Sequence, residues 1–219
     1  QAGVERAAAN GAELIWRRVV VGMHSSPQAL KPSGPQYRIT GMSILKVARM
    51  GHAVLRTKAR TVDKTELKSP AIQHFIDSMI DTMFEYSGVG LAAPQGHESI
   101  RVFVAMLDPD GGGDGDAVVF VNPEITVKGD QVVEGWEGCL SIPDIRGRVP
   151  RAQHISVTAL DRQGKRFELE LKDFPARVVQ HETDHLDGVL FFDRMRAMDS
   201  LTYLDEYSRY HVRHDSPDD

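Results

Sequence analysis

QHETDHLDG, Gln180 to Gly188, is the stretch whose reading decides the fold. Within it His181, Glu182 and His185 spell H-E-x-x-H. On an α-helix, at about 100° per residue, the two histidines fall roughly 40° apart and share one face. Imidazoles so placed can bind one metal ion, with the adjacent glutamate able to move a proton. Glu182 lies about 100° round from His181, so it can reach a water without being a ligand. The flanking residues predict the helix: Asp173 as N-cap, Pro175 in the first turn and Gly188 as the stop. Asp184 and Asp187 read as solvated charges, although either can accept a hydrogen bond from a histidine.

Two imidazoles need a third donor, and the single cysteine, Cys139, supplies a candidate. By itself a lone cysteine behaves as a small buried hydrophobe. Beside H-E-x-x-H it completes a thiolate and two imidazoles, the three-ligand arrangement of catalytic rather than structural sites. A nucleophilic Cys139 with a histidine base would leave the 181/185 spacing unexplained. An alternative is a zinc peptidase of the H-E-x-x-H type. Its metzincin version needs histidine three residues beyond Gly188, where this chain has Phe191; Glu206 remains as a downstream third ligand. A further alternative is a non-enzymatic metal-binding relative. Glu182 speaks against it, as does Gln95, a side-chain amide donor at the end of GVGLAAPQ (Gly88–Gln95), since neither is needed merely to hold metal.

Upstream, Ser69-Pro70 predicts a helix start, serine as cap and proline at the first position. Ile72, Phe75, Ile76, Met79, Ile80, Met83 and Phe84 then recur at steps of three and four, an apolar stripe. The glycine-rich GVGLAAPQ, Gly88–Gln95, imitates a dinucleotide fingerprint. However, it follows a helix instead of a strand and Pro94 interrupts it, so it reads as a loop with close backbone approach. Ile100–Leu107 predicts a strand. The run 108–116 reads as a mobile loop, and its aspartates lack calcium-loop spacing. AVVFVNPEITV predicts two short strands broken at Pro123. The runs 154–161 and 165–173 predict a hairpin around Arg162-Gln163-Gly164. Asp199 or Ser200 is expected to cap a last helix with Leu201, Leu204 and Tyr207 on its apolar face, and the acidic end is expected to fray. The pattern is α+β with antiparallel strands, not a βαβ alternation.

Composition bounds the rest. Hydrophobic residues at 41% and charged residues at 26% are those of a globular domain. A net charge of −5 without a basic block argues against a direct nucleic-acid site. No apolar run reaches the length of a membrane span. With one cysteine no intrachain disulfide forms, which fits a reducing compartment. Residues 1–41 lack periodicity and open on Gln1, so they read as a leader, tag or presequence. The catalytic domain is expected over 42–219. Arginine outnumbers acid in that leader, which leaves a transit peptide as one reading and a cytoplasmic protein as the other.

GVGLAAPQ, EGCLS at 137–141 and QHETDHLDG, in this order and spacing, resemble the motifs G-x-G-x-A-A-x-Q, E-G-C-x-S and H-E-x-D-H of the peptide deformylase family. The resemblance covers about Met42 onward. It implies an α+β fold in which antiparallel sheets pack around a central metal-binding helix. The implied reaction removes the formyl group from N-formylmethionyl nascent peptides, releasing formate. Carried onto this chain, the metal ligands are Cys139, His181 and His185, with Glu182 as general base and then acid. The Gln95 amide and Leu140 backbone N–H hold the oxyanion. Gly90, Arg146 and Val178 face the substrate, Val178 toward the methionine side chain. The implied cofactor is one divalent metal ion, Fe(II), with zinc, nickel or cobalt fitting the same ligands. The last helix is a candidate contact with the ribosome.

Overall fold

The computed structural model describes residues 43–108 and 117–212; the expected leader, most of the mobile loop expected at 108–116 and the acidic end lie outside the described residues. In chain order the elements are α1 (Lys64–Leu67), α2 (Pro70–Glu85), β1 (Gly90–Ala92), β2 (Val102–Ala105), β3 (Val118–Val127), β4 (Val132–Cys139), β5 (Ile142–Ala152), β6 (His154–Leu160), β7 (Arg166–Lys172), α3 (Asp173–Leu186), α4 (Phe191–Arg194), β8 (Thr202–Tyr203) and α5 (Leu204–Tyr210). Two short 3-10 turns cover Ala53–Arg56 and Ala93–Gly96. One sheet runs β1-β2-β3-β6-β7 and a smaller one β4-β5-β8, with every named strand pair antiparallel. The α+β expectation holds.

The larger sheet is covered on both sides at its β1–β3 end, which explains the unbroken apolar run of β2. Val102 and Val104 pack with Ile76, Met79 and Met83 of α2. Phe103 and Ala105 point the other way, against Val178, Val179 and Leu186 of α3. With period-two alternation and both faces buried, polar residues have no place in that strand. Strand β7 has one open face and alternates exposed with half-buried positions accordingly. A third apolar cluster, Leu55, Cys139, Ile142, Val149, Leu190 and Phe191, lies under the smaller sheet. Helix α3 is therefore wedged among the sheets, not laid on the surface, and most of its circumference is buried.

Several local expectations hold. Ser69 Oγ accepts from Ile72 N–H at the head of α2, with Pro70 at the first turn. Ile76, Met79 and Met83 are fully buried, while Phe84 closes the stripe half-exposed at 46%. The 154–172 hairpin forms around Gly164, whose φ of +83° suits glycine. Gly188 ends α3 at φ +73°, and a Cβ there would stand 2.8 Å from the Arg56 carbonyl carbon.

Others are corrected. Pro123 does not divide β3; the strand runs through it with a register shift between Val121 and Glu124. Asn122 turns to φ +51° and its side chain bonds both Val62 N–H and C=O, so a bulge absorbs the proline. GVGLAAPQ is not simply a loop: Gly90–Ala92 pairs with β2 and Ala93–Gly96 makes a 3-10 turn. The segment 132–152, given no strand from its sequence, forms the long β4–β5 hairpin. Its glycines, prolines and inward-facing charges hide the alternation. Asp173 does not cap α3 with its side chain, which accepts instead from Gln153. Neither Asp199 nor Ser200 caps α5; Ser200 Oγ accepts from Arg148 N–H, and Thr202–Tyr203 is spent on β8. Leu201 precedes that helix, whose buried residues are Leu204 and Tyr207.

Candidate active site

The site is assembled where α3 passes under the turn that joins β4 to β5. Cys139 is the last residue of β4, and Leu140–Ser141 form that turn. The Cys139 sulfur and one ring nitrogen each of His181 and His185 lie within 4.8 Å of one another, and all three residues are enclosed. Cys139 Sγ stands 3.2 Å from His185 Nε2. His181 turns Nδ1 away, 2.9 Å from Glu137 Oε2, which leaves its other nitrogen for the cluster.

This donor set suits one metal ion on its own chemistry. Burial opposes ionisation of the Cys139 thiol, yet His185 and His181 outweigh it and hold the thiol well below its ordinary value. Burial likewise disfavours a charged His181, but Cys139 and Glu137 hold its pKa well above the usual. A field that draws a proton onto an imidazole beside a thiolate also favours a cation between them.

Glu182 is buried beside this cluster, and burial pushes its carboxyl up to about 7. Its Oε2 has no hydrogen-bond partner among the described residues. The carboxylate occupies the space a side chain at Gly90 would take: a Cβ there would stand 2.7 Å from its Cδ. Glycine at that position is thus a packing requirement of Glu182, whatever else its backbone does. Gln95 is buried in the 3-10 turn. Its Oε1 accepts from Ala92 N–H at 2.8 Å, which fixes the amide so that Nε2 points at Ser141 Oγ (3.1 Å) and Cys139 Sγ (3.6 Å).

A cavity of about 600 Å³ opens over this floor, and every residue carried onto the chain by resemblance, His185 apart, lines it. Val178 is buried on α3. Arg146, buried on β5, lies close against Gly138, where a Cβ would meet its Nε at 2.6 Å. His185 stands behind Cys139, and its Nδ1 meets no hydrogen-bond partner among the described residues.

Behind the histidines lies a group that sequence reasoning missed. Glu137 takes a two-pronged contact from Arg151 (2.9 and 3.0 Å), a further bond from Arg177 (2.8 Å) and the His181 contact. Burial would raise its pKa, but Arg151 and His181 outweigh it and hold the carboxyl far below the ordinary range. Asp184, expected to be solvated, is buried and paired with Arg151 at 2.5 Å and Arg194 at 2.6 Å. Asp187, by contrast, is exposed as expected and meets Arg101. Signals for the missed residues existed. Glu137 is two residues before Cys139, hence on the same strand face. Arg177 is four before His181 and Asp184 three after it, on adjoining helix positions.

The zinc-peptidase reading finds no third ligand downstream in this geometry. Phe191 is buried against His181, and Glu206 pairs with Arg209 on the exposed face of α5.

Fold and site together define a class: an α+β protein whose central helix and a neighbouring strand end bring one thiolate and two imidazoles around a buried glutamate. Comparison with known proteins makes the class specific. A sequence model of polypeptide deformylase matches residues 44–200. Peptide deformylase 2 of Nostoc sp. is 40% identical over 168 residues, 75% of this chain and 93% of its own length. Peptide deformylase 1B, chloroplastic/mitochondrial, of Arabidopsis thaliana is 39% identical over 72% of this chain and 57% of its own. A Met-Ala-Ser-bound class I type b peptide deformylase from Acinetobacter baumannii superposes with a TM-score of 0.66 at 42% identity, covering 71% of this chain and 100% of that one. The chain belongs to the polypeptide deformylase family. It is a metal-dependent hydrolase that removes the N-terminal formyl group from peptides.

Proposed function

We propose that Cys139, His181 and His185 hold a single divalent metal ion, Fe(II) in the cell, and that Glu182 carries the proton during hydrolysis of the formyl amide. Zinc, nickel and cobalt suit the same donors, and affinity order alone does not predict which occupies them. When bound, the ion supplies Lewis acidity, lowering the pKa of water and polarising a carbonyl. The observation that carries this reading is the convergence of the three donor atoms within 4.8 Å, beside buried Glu182 and Gln95, at one cavity.

The roles follow from position. Glu182, near neutrality by burial, takes a proton from the attacking water and delivers it to the departing amine. A dication nearby draws its pKa below the metal-free value. Gln95 Nε2, aimed toward Cys139, and the Leu140 N–H in the adjacent turn donate to the developing oxyanion, about 3 kcal/mol per donor. Val178 offers an apolar wall for the methionine side chain. Arg146 and the backbone at Gly90 orient the peptide behind it.

The substrates are N-formylmethionyl nascent peptides, with the ribosome as a partner contacted through α5. The folded domain begins near Met42, with 1–41 a leader outside it. We place the protein in the cytoplasm, or in an organelle if 1–41 act as a transit peptide, a reading favoured by the name of the Arabidopsis relative. Among the described residues no helix is long and apolar enough to cross a membrane.

The test is anaerobic formate release from a formyl-methionyl tripeptide with metal analysis of the same sample. One metal per chain and turnover are expected; Glu182→Ala is expected to keep the metal and lose turnover. Turnover at the wild-type rate by Glu182→Ala refutes its role.

A further inference from the structure

The cavity's outer rim carries two cations that the reaction does not use. Residues 43–50 run past the site without regular helix or strand and are stapled to it at two points. Ala48 N–H donates to Gln95 C=O, and Met50 N–H donates to Ser141 C=O, both at 2.8 Å. These bonds tie the segment to residues that flank Cys139, and they hold Lys46 and Arg49 at the cavity mouth, where both are exposed.

The carboxylates around them are fewer. Glu137 is held by Arg151 and Arg177. Glu182 is buried at the floor, and Asp144 is the exposed carboxylate of the lining. Lys46 and Arg49 have no ion-pair partner among the described residues. The mouth therefore carries a local positive excess on a chain whose net charge is −5.

A substrate must pass this mouth. Its formyl end reaches the buried floor, and an extended peptide advances about 3.3–3.6 Å per residue, so the second and third side chains emerge at the rim. We infer that Lys46 and Arg49 are specificity-determining residues that favour formyl peptides with an acidic side chain one or two positions after the methionine. The inference rests on the deformylase reading of the site. Opposite charge at the mouth raises the local concentration of such peptides and lowers KM, while the reacting atoms stay untouched. For exposed charges the expected preference is modest, about three- to tenfold in kcat/KM at low ionic strength. Salt at about 0.5 M, where the Debye length shrinks to a few ångströms, erases most of it.

The experiment compares formyl-Met-Ala-Glu-amide, formyl-Met-Ala-Gln-amide and formyl-Met-Ala-Lys-amide on the metal-loaded enzyme, the amides removing the terminal carboxylate. The expected order of kcat/KM is Glu above Gln above Lys, set by a KM lowest for Glu and with kcat unchanged. The order flattens with salt, and in Lys46→Glu/Arg49→Glu it reverses. Equal kcat/KM for the three peptides in wild type at low salt overturns the inference and leaves the deformylase reading standing. An unchanged Glu preference in Lys46→Gln/Arg49→Gln also overturns it, the melting temperature reporting that this variant is folded. No turnover of any formyl peptide refutes the hydrolytic assignment, and the inference with it.

Discussion

Two sides of helix α3 hold buried charge and treat it differently. Around the donor cluster, Glu182 Oε2 and His185 Nδ1 have no hydrogen-bond partner among the described residues, and Cys139 faces imidazole nitrogens only a few ångströms away. Behind it, Glu137, Arg151, Arg177, Asp184 and Arg194 satisfy one another, and none of their buried polar atoms lacks a bond. Unpaired buried polar groups are costly, so a fold retains them where a ligand or a reaction supplies the partner. The satisfied side does the opposite: it fixes side-chain positions and leaves nothing to react. His181 joins the two, with Nδ1 on Glu137 and the rest of the ring in the donor cluster. An imidazole locked in this way presents its free nitrogen in one orientation.

The sharpest break of this contrast is Cys139→Ala. Stoichiometric metal binding and turnover are expected to disappear while the chain stays folded; one tightly bound metal per chain in the variant refutes the ligand assignment. Glu182→Gln comes next, with about a 10²- to 10⁴-fold loss of kcat and metal retained. In wild type, kcat/KM is expected to fall as pH drops below the Glu182 pKa, which lies at or below about 7, because the base must be ionised to accept a proton. Glu182→Gln is expected to lose that acid limb. Gly90→Ala should act on the same carboxylate by steric displacement, at a cost on the order of 10²-fold in kcat, with metal content unchanged.

Changes behind the helix should read out as stability first. Glu137→Gln leaves Arg151 and Arg177 buried without their anion, a cost of about 3–5 kcal/mol in thermal or denaturant unfolding. Metal affinity is expected to weaken about 10- to 100-fold as His181 loses its anchor. The pH dependence has a definite sign. The folded-state pKa of Glu137 is lowered, so its contribution is present above the unfolded carboxylate pKa and is lost as pH falls through the folded value. Glu137→Gln should flatten that part of the acid unfolding curve. The smallest effect belongs to Arg194→Ala. Its side chain is 50% exposed and Asp184 keeps Arg151, so a loss of no more than about 1 kcal/mol is expected. A loss several times larger would show that the cluster is one cooperative unit.

Much of this was legible in the chain, and the reason lies in distance along the sequence. The 181/185 pair, the Ser69-Pro70 start, the Gly188 stop and the 154–172 hairpin are all set by neighbours within a few residues, where helix and strand periodicities operate. Cys139 could be matched to the histidines because few side chains bind metal and there was one thiol to consider. Residues 132–152 were not legible as a hairpin, because their inward-facing charges look solvent-bound until Arg151, Arg177 and Asp184 meet. Asp184 misled for the same reason: four residues around it name a helix face, but not the arginines brought from β5 and α4.

The sequence alone determined the donor types, their helical spacing and the α+β class, since these follow from local geometry and from the chemistry of thiol, imidazole and carboxylate. Tertiary structure alone decided which glycine makes room for Glu182, which carboxylate orients His181 and which charges remain unpaired at the mouth. Those depend on where segments far apart in the chain come to rest, and burial with electrostatic pairing is settled only when they pack together.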